Sequence, residues 1–145
     1  MIPDPIAGLV RLALDDEALN DLVDGRVFGA ELPKSEEAVM PRKCVVIRNA
    51  GGGTFGTGSR DFIQASHVRF DAQCYGETPM EAAKVRLATY DIFKNMARKV
   101  KQEVLIHSIN PSSGPLPLRD PDTDWPLEVQ TFLALVSEVQ VTQEE

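Results

Sequence analysis

The segment His67–Val100, HVRFDAQCYGETPMEAAKVRLATYDIFKNMARKV, joins a strand pattern to a helix pattern and decides the fold. In its first part, apolar and polar side chains alternate, which is the period of two expected of a half-buried strand. The apolar series is Val68, Phe70, Ala72 and Cys74. After a turn at Gly76, the hydroxyl of Thr78 and the ring of Pro79 suit the start of a helix. The segment therefore predicts a strand, a turn and a helix in that order.

The predicted helix, residues 79–99, has a mainly apolar flank and a charged flank. Its apolar residues recur at steps of three, four and one, so at about 100° per residue they share one side. They are Ala82, Val85, Thr89, Ile92, Phe93, Met96 and Val100. We expect this flank to cover the sheet. On the charged flank stand two apolar exceptions, Met80 and Leu87, which are either scattered surface residues or a contact with a neighbouring subunit.

The flanking sequence predicts the rest of an α+β fold. Asp4 and Pro5 suit the start of an N-terminal helix with an apolar stripe of Ile6, Leu9, Val10 and Ala13. Further strands are predicted at Lys43–Asn49, Val104–Ile109 and Leu127–Val136, with loops at Gly29–Arg42 and Asn110–Pro126. A long glycine-rich tip joins the Lys43–Asn49 strand to the central strand as a hairpin. We therefore expect a mostly antiparallel sheet of about four or five strands, packed by the N-terminal helix and the long helix.

Length and charge narrow the classes of function. With 145 residues the chain is predicted to form one domain, residues 1–145. Its 22 acidic and 15 basic residues give a net charge of −7, a field that repels nucleic-acid phosphates, so any contact with DNA is expected to be transient. No apolar run is long enough for a membrane span and no signal peptide is evident, which favours the cytosol. Cys44 and Cys74 lie in predicted strands and are expected to be core residues.

The glycine-rich stretch Gly51–Gly56 matches the dinucleotide-binding pattern G-x-G-x-x-G. That site needs its last glycine to open a helix whose N-terminus holds the pyrophosphate. Residues 57–66 are polar, lack helical spacing and lead into another strand. We therefore expect no cofactor at this stretch.

The remaining chemical motifs are incomplete. Asp120-Pro121-Asp122-Thr123-Asp124 has the spacing of a calcium loop, but Trp125 stands where glycine is needed. We expect these carboxylates to turn the chain and Trp125 to pack over the end of the sheet. His67 and His107, the only histidines, form no paired metal motif with each other or with the cysteines. No serine has a histidine and carboxylate arranged for nucleophilic catalysis, so we expect no metal, no cofactor and no enzyme activity.

The order of these features resembles the tail-terminator or tail-completion proteins of long-tailed bacteriophages. The resemblance covers nearly the whole chain and depends on the spacing of strands and helices. It is carried by Asp24-Gly25-Arg26-Val27-Phe28, Val68–Tyr75, Glu81-Ala82-Ala83, Asp122-Thr123-Asp124 and Leu127–Val136. It implies a structural virion protein, assembled in the host cytoplasm. Six copies would form a ring that ends the tail tube and joins the tail to the neck of the head.

The same resemblance implies partners, and the apolar exceptions on the long helix and the long loops of the sequence suggest which residues contact them. The partners are further copies of the chain, the tail tube protein, neck, stopper or connector proteins, and DNA passing through the lumen, which an acidic wall would not retain. The candidate subunit interface is Met80, Ala83, Leu87 and Asp91. The candidate docking loop for the tube or neck is Gly52, Gly53, Thr54, Phe55, Gly56 and Arg60. A second candidate loop contains Asp122, Asp124 and Trp125.

Two other functions remain open at this level. The first is another neck component, such as a stopper or a head-completion ring. The second is a small α+β ligand-binding domain or enzyme, which a deep polar pocket containing His67 or His107 would indicate.

Overall fold

The computed structural model describes residues 4–51 and 65–137 of the chain. Within these ranges the chain forms helices and strands that alternate irregularly, as an α+β fold does. The helices are α1 (Pro5–Leu14), α2 (Glu17–Val23), α3 (Lys34–Glu37) and α4 (Pro79–Asn95). The strands are β1 (Val27–Gly29), β2 (Cys44–Asn49), β3 (Ala65–Tyr75), β4 (Lys99–Lys101), β5 (Val104–Pro111), β6 (Leu116–Arg119) and β7 (Pro126–Ser137).

The strands form one sheet in the order β1-β2-β3-β7-β5-β4, with β6 also paired to β7. Every neighbouring pair is antiparallel except β1 and β2. The centre is the β3–β7 pair, whose register runs without a break from Ala65 opposite Ser137 to Tyr75 opposite Leu127. The predicted α+β class and the mostly antiparallel sheet are confirmed. The predicted number of strands, about four or five, is too low, because the sheet has seven strands within the described residues.

The strands that were not predicted are short, and each of them is a strand only because it pairs with a neighbouring strand. The sequence analysis placed Lys99 in the long helix, but α4 ends at Asn95 and Met96 is extended, with φ −66° and ψ 142°. Lys99–Lys101 then pairs with β5 as β4. The predicted loop from Asn110 to Pro126 likewise contains β6, which pairs with the start of β7. Strands of three or four residues are too short for a period of two to identify.

The core lies between the helices and one face of the sheet. Phe132 of β7 stacks on Phe70 of β3 at 5.5 Å between ring centroids, and Phe93 of α4 meets both rings edge-on at 5.2 Å. The predicted inward series of β3 is confirmed, because Phe70, Ala72 and Cys74 are all buried. Cys44 and Cys74 are free and buried, as predicted, and burial raises the pKa of each thiol to about 12.

The flank of α4 that faces the core agrees with the predicted one over most of its length. Ala82, Val85, Thr89 and Phe93 are buried. Ile92 and Met96 are partly buried against the same core. Val100 is not part of this flank, since it belongs to β4.

The predicted apolar stripe of helix α1 packs on the core. The buried residues of α1 are Gly8, Leu9, Leu12 and Ala13. Ile6 and Val10 of the stripe are half-buried, packed against the same core and beside β1. A Cβ at Gly29 would lie 3.3 Å from a methyl carbon of each of them. The absence of a side chain at Gly29 therefore lets α1 approach β1 closely.

The segment between β1 and β2 is held by one charged cluster. Glu36, which is 8% exposed, accepts hydrogen bonds from Arg42 Nε at 2.6 Å and Arg42 Nη2 at 2.8 Å. Arg26 lies 3.9 Å from the same carboxylate. The hydrogen bonds from Arg42 lower the pKa of Glu36, although burial opposes them.

This pair predicts a specific dependence of stability on pH. Because the pKa of Glu36 is lower in the folded chain than in the unfolded chain, the pair stabilises the fold above the unfolded value. That stabilisation is lost as the pH falls through the folded value. We expect Glu36→Gln to be less stable than the wild type at pH 7, with a difference that shrinks below about pH 4. Urea unfolding at pH 7 and pH 3 measures this, with the exposed neighbour Glu37→Gln as the matched control. A difference that is equal at both pH values contradicts the prediction.

Candidate assembly surfaces

The predicted interface residues of α4 share one solvent-facing side. Met80 is 74% exposed and Leu87 is 53% exposed. Asp91 is exposed and Ala83 is half-buried on the same side, opposite the flank that covers the sheet. We call Met80, Ala83, Leu87 and Asp91 the helix stripe. Its apolar members are too exposed to stabilise the isolated chain, so they are available for a partner.

A groove of about 500 Å³ runs along the outward side of α1. It is lined by Asp4, Ile6, Ala7, Val10, Arg11, Leu14, Gly29, Ala30, Asn49 and Gln102. We call this surface the α1 groove. Helix α1 reads PIAGLVRLAL, so Arg11 is its only charged residue and the helix is apolar on both sides. A helix of this composition is normally covered all round. The sequence pattern was interpreted as one apolar side of α1. The other side also has almost no charged residues, which is visible in the sequence.

The second candidate loop is the turn between β6 and β7. The carboxylate of Asp120 accepts hydrogen bonds from the backbone N–H groups of Asp122 at 2.9 Å and Thr123 at 3.2 Å. Trp125 packs edge-on against Tyr75, with 6.3 Å between ring centroids. The predicted roles, carboxylates that turn the chain and a tryptophan over the end of the sheet, are confirmed. Asp122 and Asp124 are exposed at the tip of this turn.

The face of the sheet away from α1 and α4 carries a further apolar surface. Leu116 is 55% exposed and Leu118 is 45% exposed, and their cross-strand partners are Val129 and Leu127. Leu133 and Leu135 continue this outer face along β7 and are half-buried. The sequence analysis missed this surface because it assigned residues 110–126 to a loop.

Polar residues cross the same outer face in neighbouring strands. Arg48 lies opposite Asp71, and Asp71 lies opposite Thr131, whose hydroxyl donates to the Asp71 carboxylate. Two buried atoms beside this row, Arg48 Nε and Gln73 Oε1, lack a hydrogen-bond partner in the described part of the chain. Unpaired buried polar atoms are rare in folded proteins, so these two atoms are a cost to the stability of this row.

Two further grooves of the described residues are not lined by a histidine. A groove of about 470 Å³ lies between the start of α2 and the end of α4, and a third of about 560 Å³ lies beside Tyr90. Neither His67 nor His107 lines the α1 groove or these two grooves. His107 is half-buried, and this burial lowers its pKa. The nearby positive charge of Arg98 lowers the pKa further.

Within residues 4–51 and 65–137, no group of three or more histidines, cysteines and carboxylates is placed to hold a metal ion. Across the same ranges no helix is long and apolar enough to cross a membrane. The candidate docking loop, with Gly52, Gly53, Thr54, Phe55, Gly56 and Arg60, lies outside the described residues.

Comparison with known proteins identifies a shared fold. No known protein family matches the sequence, and no curated protein matches it. Among solved structures, the chain is similar to a chain from the "Virion of native gene transfer agent (GTA) particle", with a TM-score of 0.65 and 17% sequence identity. The similarity covers 90% of this chain and 92% of that chain. At this identity the likeness establishes the fold that the two chains share along most of their lengths.

Proposed function

We propose that this protein is a structural subunit of a phage-like virion and acts as a tail terminator. In this role a ring of copies ends the tail tube and joins the tail to the neck of the head. The observation that carries the proposal is the likeness in fold to a chain of a gene transfer agent virion over 90% of the sequence. The order of strands and helices that resembles tail terminators supports the specific position.

The surfaces described above support assembly. A closed ring is built from heterologous contacts, in which each subunit presents two different patches to its two neighbours. The helix stripe and the α1 groove are two such patches. The outer face of the sheet, with its exposed leucines, is a third surface, which is suited to a tube or neck protein. The net charge of −7 agrees with a lumen through which DNA slides without binding.

The decisive experiment is electron microscopy of particles made with and without this gene product. We expect its loss to produce filled heads separate from tails, and tails of uncontrolled length. An antibody or gold label on the protein should mark the head-proximal end of the tail. Particles of normal form without the protein contradict a structural role. A label at the distal tail tip or on the head shell contradicts the terminator position, and heads that leak DNA beside tails of normal length favour a stopper.

A separate prediction concerns the candidate docking loop, which was assigned from the sequence. We expect deletion of residues 52–57 to leave a folded protein that no longer completes tails, because a glycine-rich segment adds little to a core but can order on a partner. Circular dichroism and thermal unfolding measure the fold, and complementation of a strain lacking the gene measures the yield of complete particles. A normal yield from the deletion variant contradicts the docking assignment.

A further inference from the structure

We propose that the helix stripe of one copy docks in the α1 groove of the next copy, in a parallel alignment of the two helices. This inference rests on the proposed ring and goes beyond it by naming the two surfaces that meet. It follows from three observations: an apolar helix with an open outward side, an exposed apolar stripe elsewhere on the chain, and a match of charges between them.

The α1 groove has the composition of a covered surface. Its long side is formed by Ile6, Ala7, Val10 and Leu14, which are half-buried, and its other wall by Gly29 and Ala30, which have little or no side chain. The methyl groups of Ile6 and Val10 lie against Gly29, so a partner side chain would pack on these methyl groups and on Ala7. A second copy of this chain offers a suitable side chain, because Leu87 is 53% exposed on a regular helix.

The charges on the two helices match in only one direction. On α1, Asp4 and Arg11 are seven residues apart with Ala7 between them, and on α4, Lys84 and Asp91 are seven residues apart with Leu87 between them. Seven residues span about 10.5 Å along either helix. A parallel alignment therefore places Lys84 against Asp4 and Asp91 against Arg11. An antiparallel alignment would pair like charges at both ends.

The same register places Leu87 of the stripe against Ala7 of the groove, whereas Met80 lies about one helical turn before Asp4, outside α1. Ala7 follows Asp4 by three residues and Leu87 follows Lys84 by three, so the large Leu87 side chain meets the small Ala7 side chain. Arg11 already contacts Asp15 through Nε at 3.1 Å, but its side chain is 42% exposed and retains further N–H donors for Asp91.

The helix stripe of one copy does not fill the α1 groove of the same copy. Helix α2 contacts both α1 and α4, and the helix stripe is on the side of α4 that faces away from the sheet. No residue of α4 lines the α1 groove of the same copy, so the contact that we propose forms between copies. Because stripe and groove are different surfaces, each copy has one free stripe and one free groove until the ring closes.

Two half-defective variants of the full-length protein test the contact. Leu87→Asp places a charge in the stripe without disturbing a buried residue. Ala7→Glu fills the groove, and it suits the first turn of α1, where acidic residues are favourable. Each single variant should associate about 30-fold or more weakly than the wild type, as expected when a central apolar contact is lost. Val39→Asp is the matched control, since Val39 is 52% exposed and lies outside both surfaces.

A mixture of the two variants gives the most specific test of the contact. Each variant keeps one intact patch, so an equimolar mixture of Leu87→Asp and Ala7→Glu should form heterodimers that grow no further. Native mass spectrometry and sedimentation velocity over a concentration series measure this. A charge exchange adds a second readout: Asp91→Lys and Arg11→Glu should each weaken assembly, and the two changes together in one chain should restore it.

The inference is overturned if the wild type stays monomeric across the series, if both half-defective variants assemble like the wild type, or if their mixture contains no heterodimer. Rings that form normally from Leu87→Asp and Ala7→Glu reject these two surfaces and leave the proposed tail-terminator role intact. Normal particles without the protein reject that role directly, so the two failures are distinguishable.

Discussion

Replacement of Phe132 by alanine is expected to lower the free energy of unfolding by about 3–5 kcal/mol. Phe132 is 1% exposed and lies on the longest strand, where its ring contacts Phe70 at 5.5 Å and Phe93 at 5.2 Å between centroids. The substitution removes apolar burial and leaves a cavity between β3, β7 and α4, three elements that cannot close over it together.

Urea unfolding followed by circular dichroism measures the change. Leu118→Ala is the control, because Leu118 is 45% exposed, and it should change the free energy of unfolding by less than about 0.5 kcal/mol. A loss below about 1 kcal/mol for Phe132→Ala would show that the three phenylalanines do not form the core described above.

The ion pair between Arg86 and Glu128 gives the second large effect. Arg86 Nε donates to Glu128 Oε1 at 2.7 Å, and the two side chains are 15% and 13% exposed. The pair joins α4 to β7. Removal of one partner leaves the other charge mostly buried without an ionic partner, so we expect Glu128→Leu to destabilise the fold by about 3 kcal/mol. Arg86→Met should have a similar effect.

The two changes together should have a much smaller effect than either alone. Apolar residues of similar size can replace a buried pair with little loss, because no unpaired charge remains. A double-mutant cycle measured by urea unfolding at pH 7 tests this. If the effects of the single variants simply add, the charges act independently and the pair does not hold α4 on the sheet. Since α4 carries the helix stripe, we also expect the single variants to assemble less well than the double variant.

Some elements of the fold could be predicted from the sequence, and others could not. The alternation in Val68–Tyr75 and the helical spacing from Pro79 to Phe93 each occur within one continuous segment, and both predictions are confirmed. The burial of Cys44 and Cys74, the turn held by Asp120 and the packing of Trp125 were likewise predicted from local pattern and residue chemistry. Local periodicity was sufficient here because these segments are long or carry characteristic turn residues.

The assembly surfaces show where sequence alone was insufficient. Met80 and Leu87 stood out because they interrupt a charged flank, and the structure places both on the exposed side of α4. Leu116 and Leu118 did not stand out, because two prolines beside and between them indicate a loop, and only pairing with β7 makes the segment a strand. The α1 groove was not predicted, because it forms only where β1 packs beside α1, and no local sequence pattern indicates that contact.

The amino-acid sequence by itself determined the α+β class, the central strand, the long helix and the apolar side chains that interrupt the charged flank of that helix. Only the tertiary structure decided that Lys99–Lys101 is a strand, that β6 extends the sheet, and which side of the apolar helix α1 faces outward. The physical reason is the range of the interactions. Periodicity reflects neighbours within one segment, whereas a short strand exists only through the hydrogen bonds of its partner, and a helix that is apolar on both sides is oriented only by what packs against it.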